Sequence, residues 1–214
     1  MNEKIIIGKK ATRKNIFTNF IAFTFYGLIG GIGTSGILKF LTKLNNGICA
    51  ILGVLAFFIT MFIVVPLAAI SDYIEVNKTS IINYSFHGYL QMLSETCSLI
   101  AGKKTAPTCQ IYLEKINSVE ISYEPFLMLW AQKGYKIKLQ FNLNDSSSIV
   151  IYPFGHNNIK NNDYEKMFIL LENKYIPIID KHNLRPILKT NPNNLNNYIE
   201  SLKKRHLLIS TFNK

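Results

Sequence analysis

The sequence predicts an α+β protein in which two consecutive membrane-crossing helices precede one β-rich domain. Three observations predict it. Two long stretches near the N-terminus, between Lys14 and Lys39 and between Lys43 and Asp72, contain no Asp, Glu, Lys or Arg. Short runs alternating apolar and polar residues follow, separated by polar turns, and two segments with apolar residues at helical spacing come last.

The first charge-free stretch, Ile16 to Leu38, reads IFTNFIAFTFYGLIGGIGTSGIL. At about 1.5 Å per residue it reaches about 34 Å, enough for a hydrocarbon core of roughly 30 Å with modest tilt. The second, Ile48 to Ile70, reads ICAILGVLAFFITMFIVVPLAAI and has the same length. Helices that long and apolar on every face have nowhere to be buried beside a domain of the size that remains. A cleaved secretory leader is also disfavoured, because the first apolar run exceeds the ~7 to 15 residues of a signal core and a second span follows at once.

Orientation follows from the basic residues. Lys4, Lys9, Lys10, Arg13 and Lys14 precede the first span, while the connection 39–47 holds only Lys39 and Lys43. Positive charge is retained on the cytoplasmic side. The expected order is therefore a basic cytoplasmic N-terminus (1–15), a first span (16–38), a short external loop (39–47), a second span (48–70), a cytoplasmic β-rich domain (71–180) and a C-terminal helical extension (181–214). Abundant Asn, Lys and Ile match the bias of an AT-rich bacterial genome, so the expected location is a bacterial cell membrane, with the lipid bilayer as one partner.

The chain is 48% hydrophobic and 17% charged, against about 25% charged in an ordinary soluble domain. Its formal net charge of +11 invites a nucleic-acid reading. The distribution argues otherwise. Beyond residue 70 there are 17 Lys or Arg against 12 Asp or Glu, dispersed, and the densest group, Lys203, Lys204 and Arg205, stands near the chain end. A phosphate-tracking stripe needs more, and no nucleic-acid partner is expected. Cys49, Cys97 and Cys109 show no CxxC or zinc spacing. A Cys97 to Cys109 bridge is possible by number, but thiols are the expected state in a cytoplasmic domain.

Gly31 to Gly36, GIGTSG, matches the G-x-G-x-x-G dinucleotide fingerprint letter for letter. That pattern works only in a strand, tight turn and helix N-terminus with an acid about 20 residues on. Here it lies inside an apolar span, and no cofactor is expected. The glycines have another use: Gly27, Gly31 and Ser35 recur every fourth residue, a row of small side chains that lets a second helix approach closely. Ala50, Gly53 and Ala56 of the second span could face it, or a second molecule could.

In the remaining chain, Tyr73 to Val76 and Ser80 to Tyr84 are expected strands around the turn Asn77-Lys78-Thr79, with Ile111 to Leu113 and Val119 to Tyr123 further on. The clearest is GYKIKLQFNL, where Tyr135, Ile137, Leu139, Phe141 and Leu143 point one way and Lys136, Lys138, Gln140 and Asn142 the other. The turn Asn144 to Ser148 leads into IVIYPF, a hairpin partner. DYEKMFILLENK places Tyr164, Met167, Phe168 and Leu171 on one helical face, and Leu195, Tyr198, Ile199 and Leu202 share another beyond Pro192.

The segments DYIEVNKTSIINYS, CQIYLEKINSVEISY and GYKIKLQFNLNDSSSIVIYPF, followed by the helix DYEKMFILLENK, give six or seven short strands and a helix directly after two membrane spans. This resembles the bacterial pleckstrin-homology-like domains of small membrane proteins, over roughly residues 71 to 180. The resemblance implies an antiparallel β-barrel or sandwich, one open end of which is plugged by the C-terminal helix. Eukaryotic relatives that bind phosphoinositides rely on a basic first hairpin; here that turn offers only Lys78, so no specific phosphoinositide site is expected.

No nucleophile elbow, P-loop, paired carboxylate or HExxH motif is present. The four histidines, His87, His156, His182 and His206, stand far apart, and no metal site is expected. Phe126, Leu127, Met128, Leu129 and Trp130 form an apolar patch read as core or as a loop that touches a bilayer or a partner. Three functions are compatible with these residues. The leading one is a membrane-tethered, non-catalytic interaction module that binds another membrane protein or its own copy. The second is an immunity protein against a membrane-active toxin or bacteriocin, and the third an enzyme with a dispersed site, for which His156 is the one residue to test.

Overall fold

The computed structural model describes residues 4–127, 133–153 and 163–212. The chain divides into two units, one of residues 10–71 and 86–106 and one of residues 1–9, 72–85 and 107–214. The helical unit is built on α1 (Arg13–Leu41) and α2 (Asn46–Ala69). Thr12 caps α1, its hydroxyl accepting from the Asn15 amide at 3.2 Å, and Asn45 caps α2, its Oδ1 accepting from the Gly47 amide at 2.9 Å. Both bonds satisfy amides that a helix start leaves unpaired. Pro66 lies in the last turn of α2, where its carbonyl still accepts from Ile70 at 3.0 Å.

A third helix, α3 (Tyr89–Ile100), belongs to this unit. The sequence reading has no helix there and places 86–106 within the β-rich domain. The correction has a packing reason: Leu99 is buried in one apolar cluster with Ala11, Ile16, Met61, Val65, Ala69 and Ile70, and Met92 packs against it. The Tyr89 hydroxyl donates to the Phe62 carbonyl of α2 at 2.6 Å.

The β-rich unit holds two four-stranded sheets. The first has the order β1 (Ile5–Gly8), β2 (Tyr73–Val76), β3 (Ser80–Tyr84), β4 (Cys109–Tyr112), antiparallel throughout. The second has β7 (Ser148–Ile151), β6 (Lys133–Leu143), β5 (Ile116–Leu127) and β8 (Ile178–Ile179). Their inner faces share one core with α4 (Asp163–Glu172), α5 (Arg185–Thr190) and the start of α6 (Leu195–Phe212). In β6 the alternation holds: Tyr135, Ile137, Leu139 and Phe141 are buried, and Lys136, Lys138 and Gln140 between them are not.

Several expectations change. Among the described residues there is no closed barrel. A 3₁₀ turn, Leu113–Lys115, interrupts the strand run between β4 and β5 and passes the chain from one sheet to the other. Nor is the structure wholly antiparallel, since β8 pairs parallel to β5, with Val119 opposite Ile178. Residues 5–8, read as part of a basic tail, form an edge strand with Ile5 opposite Val76 and Ile7 buried. The expected C-terminal helical extension contributes Leu184, Leu188, Leu195 and Ile199 to the core.

The strand ends flanking the two excursions of the chain are tied together. Gly8 lies opposite Tyr73 with φ of 97°, and a Cβ there would stand 2.9 Å from the Asp72 carbonyl oxygen, so both conformation and space call for glycine. Ser85 and Thr108 close the second neck. The Ser85 amide donates to the Thr108 hydroxyl at 2.9 Å, and that hydroxyl donates to the Ser85 carbonyl at 3.1 Å.

Candidate functional site

The most unusual surface is that of α1 and α2. Ile21, Ile32 and Ile51 are 74%, 70% and 69% exposed, and Phe25, Leu28, Ile29, Val54, Phe58 and Ile63 are exposed with them. Both helices are long and apolar enough to cross a membrane. A soluble monomer rarely shows a continuous apolar patch beyond a few hundred Å². Three hydroxyls within these helices are satisfied locally: those of Thr24, Thr34 and Thr60 donate to the carbonyls of Phe20, Gly30 and Ala56 at 2.9, 2.7 and 2.8 Å. Such bonds remove the need for water.

The row Gly27, Gly31 and Ser35 faces α2. A Cβ on Gly27 would stand 2.8 Å from the Phe57 ring, and one on Gly53 would stand 2.9 Å from Cβ of Ser35. Gly30, beside the row, leaves room for the Thr60 hydroxyl. Gly33 and Gly36 meet nothing within 4 Å. Every letter of GIGTSG therefore lies within α1, with no strand or turn to cradle a phosphate.

Of the apolar patch read from the sequence, Phe126 is half-buried and Leu127 is exposed at the end of β5, while Met128, Leu129 and Trp130 lie outside the described residues. His156 lies outside them as well. His87 is exposed, its amide donating to Gln91 Oε1 at 2.6 Å. His182 meets the Tyr123 ring edge-on at 5.1 Å. Cys49, Cys97 and Cys109 are free thiols, with burial raising the pKa of Cys109. Among the described residues no three His, Cys, Asp or Glu side chains converge as metal ligands.

Polar clusters on the β-rich unit join its helices and strands. Arg185 donates from Nε and Nη2 to both carboxylate oxygens of Glu165 at 3.0 Å, and from Nη1 and Nη2 to Glu172 at 2.5 and 3.0 Å. The pair holds Glu172 below the usual carboxylate range and ties α5 to α4. The buried Tyr135 phenol bonds the Glu200 carboxylate and accepts from Lys203 Nζ at 2.7 Å, which fastens α6 to β6 and raises the Lys203 pKa. On the outer face, Tyr152 donates to Glu124 at 3.0 Å while Lys136 lies 3.8 Å over the Tyr152 ring. The Tyr152 bond first, and then Lys136 and Lys138, hold Glu124 low.

A further feature was not visible in the sequence. Lys78 from the β2–β3 turn and Lys166 and Lys174 from α4 rim a cavity of about 490 Å³ floored by Ile5, Ile169 and Leu170. Lys166 stands 3.7 Å from Asp163 of the same helix. No signal in the chain could have joined Lys78 to two lysines of a distant helix. Compared with family models, curated proteins and solved structures, the chain matches none of them.

Proposed function

We propose that this protein is a membrane-anchored, non-catalytic interaction module whose apolar hairpin lies in the lipid bilayer and whose β-rich unit is presented at the cytoplasmic face. The observation that carries the proposal is the apolar side chains exposed along the length of both α1 and α2. In hydrocarbon that surface has no cost, and the backbone groups within the helices and the hydroxyls of Thr24, Thr34 and Thr60 are paired inside them.

The pairing of β1 with β2 supports a two-pass arrangement. A strand before α1 and a strand after α2 share one ladder, so a hairpin between them leaves and returns on one side. Removal of α1 as a leader would also remove an edge strand. Five basic residues before the apolar span 16–38 against two in residues 39–47 support the cytoplasmic side.

The pleckstrin-homology-like reading is supported by order. Strands β1 to β4 form one meander, β5 to β7 a second, and α4 follows. On that reading the hairpin is an insertion between the first two strands and α3 one between the third and fourth. The lysine-rimmed cavity over an apolar floor supports an acidic, partly apolar segment of another membrane protein as the partner.

The test uses chains with Cys49, Cys97 and Cys109 replaced by Ala. Lys43→Cys is expected to react with a membrane-impermeant maleimide on intact spheroplasts, and Lys174→Cys only after permeabilisation. The full-length chain stays with the membrane pellet through carbonate extraction. Release into the supernatant, or equal labelling of both positions on intact cells, would overturn the proposal.

A further inference from the structure

The helix α3 is amphipathic in two directions. Gln91, Ser94, Glu95 and Ser98 occupy one half of its circumference, and the other half is apolar or small. Part of the apolar half, with Met92, Thr96 and Leu99, packs on α1 and α2. The rest does not. Leu90 is 78% exposed, Ile100 43% exposed, and Cys97 lies exposed between them on the same stripe.

This uncovered edge borders a cavity of about 140 Å³ lined by Ile16 and Phe20 of α1, Phe62 and Pro66 of α2, and Leu93 and Ile100 of α3. Its one hydroxyl, on Thr96, is spent on the Met92 carbonyl at 2.8 Å. Its lining is otherwise apolar and offers water few partners, since a bound water needs about two to four polar groups. The cavity and the edge run without interruption into the exposed apolar surface of the hairpin, because Phe20 and Phe62 belong to both.

Basic residues adjoin two of the segments that line this cavity. Exposed Arg13 and Lys14 lie within one turn of Ile16, and exposed Lys103 and Lys104 follow Ile100 within four residues. Glu95 is the one acid of the helical unit, and its carboxylate accepts from the Thr105 hydroxyl at 2.5 Å. Exposed cations that flank the apolar segments, with no competing acid beside them in sequence, fit an anionic lipid headgroup above its acyl chains.

We infer that α3 lies in the plane of the membrane interface, with its uncovered edge and the cavity beneath it covered by acyl chains of anionic phospholipid. The inference rests on the hairpin being in the bilayer. It adds that a helix absent from the charge-free runs holds the hairpin at a set depth, with Arg13, Lys14, Lys103 and Lys104 at headgroup level.

Cys97 is a native reporter for the test. The full-length chain with Cys49→Ala and Cys109→Ala is labelled at Cys97 with an environment-sensitive fluorophore and reconstituted in vesicles of phosphatidylcholine with phosphatidylglycerol. A second preparation carries Val54→Cys as its one thiol, with Cys97→Ala. The Cys97 label is expected to be quenched by lipid spin-labelled near the headgroup, with iodide quenching reduced about fivefold from that of the free label. The Val54→Cys label is expected to be quenched by deep spin labels. The double variant Leu90→Glu, Ile100→Glu, which alters two exposed side chains, restores iodide access at Cys97.

Free iodide access at Cys97 with deep quenching at Val54→Cys would overturn the inference and leave the hairpin reading standing. Shielding of Cys97 from both iodide and lipid spin labels, with crosslinking between copies, would replace lipid by a second copy of the chain. Absence of lipid quenching at both positions would overturn both readings. Quenching at Cys97 that is equal in pure phosphatidylcholine would remove the anionic headgroup from the assignment.

Discussion

Gly31 and Gly53 exclude each other's side chains: a Cβ on Gly31 would stand 2.8 Å from the Gly53 carbonyl oxygen, and a Cβ on Gly53 2.7 Å from that of Gly31. The two backbones meet there, and neither carbonyl can yield without bending its helix. Gly31→Ala or Gly53→Ala is expected to destabilise the hairpin by about 1–3 kcal/mol. Gly33→Ala, which meets nothing within 4 Å, is expected to leave stability unchanged or raise it by up to about 1 kcal/mol. Thermal unfolding in detergent of the three variants checks the contrast, and equal losses in all three would refute it.

Lys4 is bound to the carboxylate of Glu75, whose side chain is 2% exposed. The Tyr84 hydroxyl also donates to Glu75, at 3.3 Å. Lys4→Met removes one cation from a buried carboxylate and is expected to cost about 1–3 kcal/mol. Replacing both, Lys4→Met with Glu75→Met, is expected to recover most of that loss. Chemical denaturation of the three chains measures the recovery, which would be missing if β1 owed its place to Ile7 alone.

Tyr164 is fully buried beside Phe168, and its hydroxyl finds no hydrogen-bond partner among the described residues. Tyr164→Phe removes that orphan and is expected to raise stability by about 1 kcal/mol. Burial also pushes the Tyr164 pKa well above its ordinary value. A raised folded-state pKa means stability is intact below the unfolded value of about 10 and falls as pH rises beyond it. The variant should therefore lose less stability than the parent above that pH, in midpoints recorded across an alkaline series.

Arg185 spans the carboxylates of Glu165 and Glu172, which lie about two turns apart on α4. Glu172 is held low mainly by its hydrogen bonds to Arg185, so its contribution is present above its unfolded pKa of about 4.3 and lost as pH falls through the depressed folded value. Arg185→Lys cannot reach both partners with a fork and is expected to lower the midpoint modestly at neutral pH. The parent and variant curves should converge under acid; a constant gap down to the lowest pH would contradict the role.

Lys78, Lys166 and Lys174 surround one cavity. A photocrosslinker at Ile169, 46% exposed beside them, is expected to give one discrete adduct in native membranes. Lys166→Glu with Lys174→Glu should reduce its yield by about tenfold, and moderate salt should do the same. An adduct insensitive to both changes would remove the acidic segment from the proposal.

The long helices were legible from local composition, because an unbroken apolar run of that length is recognised without reference to anything else in the chain. Strand β6 was equally plain, since a period of two records one wet and one dry face. So were the buried positions of α4, where Tyr164, Met167, Phe168 and Leu171 all point into the core. These are properties of neighbours along the sequence, and a window of a few residues carries them.

What distant residues decide was not legible. Four residues of β1 are too few to announce a strand, and their partner β2 lies beyond both long helices. Helix α3 has no capping side chain at Gly88 and shows its purpose only once Leu99 and Met92 meet α1 and α2. The split into two sheets, the parallel docking of β8 and the gathering of three lysines around Ile169 likewise depend on pairings whose energy is paid out only when the chain closes on itself. Solvent preference is written residue by residue along this chain; which surfaces end up facing each other emerges from the folded whole, because that choice belongs to pairs.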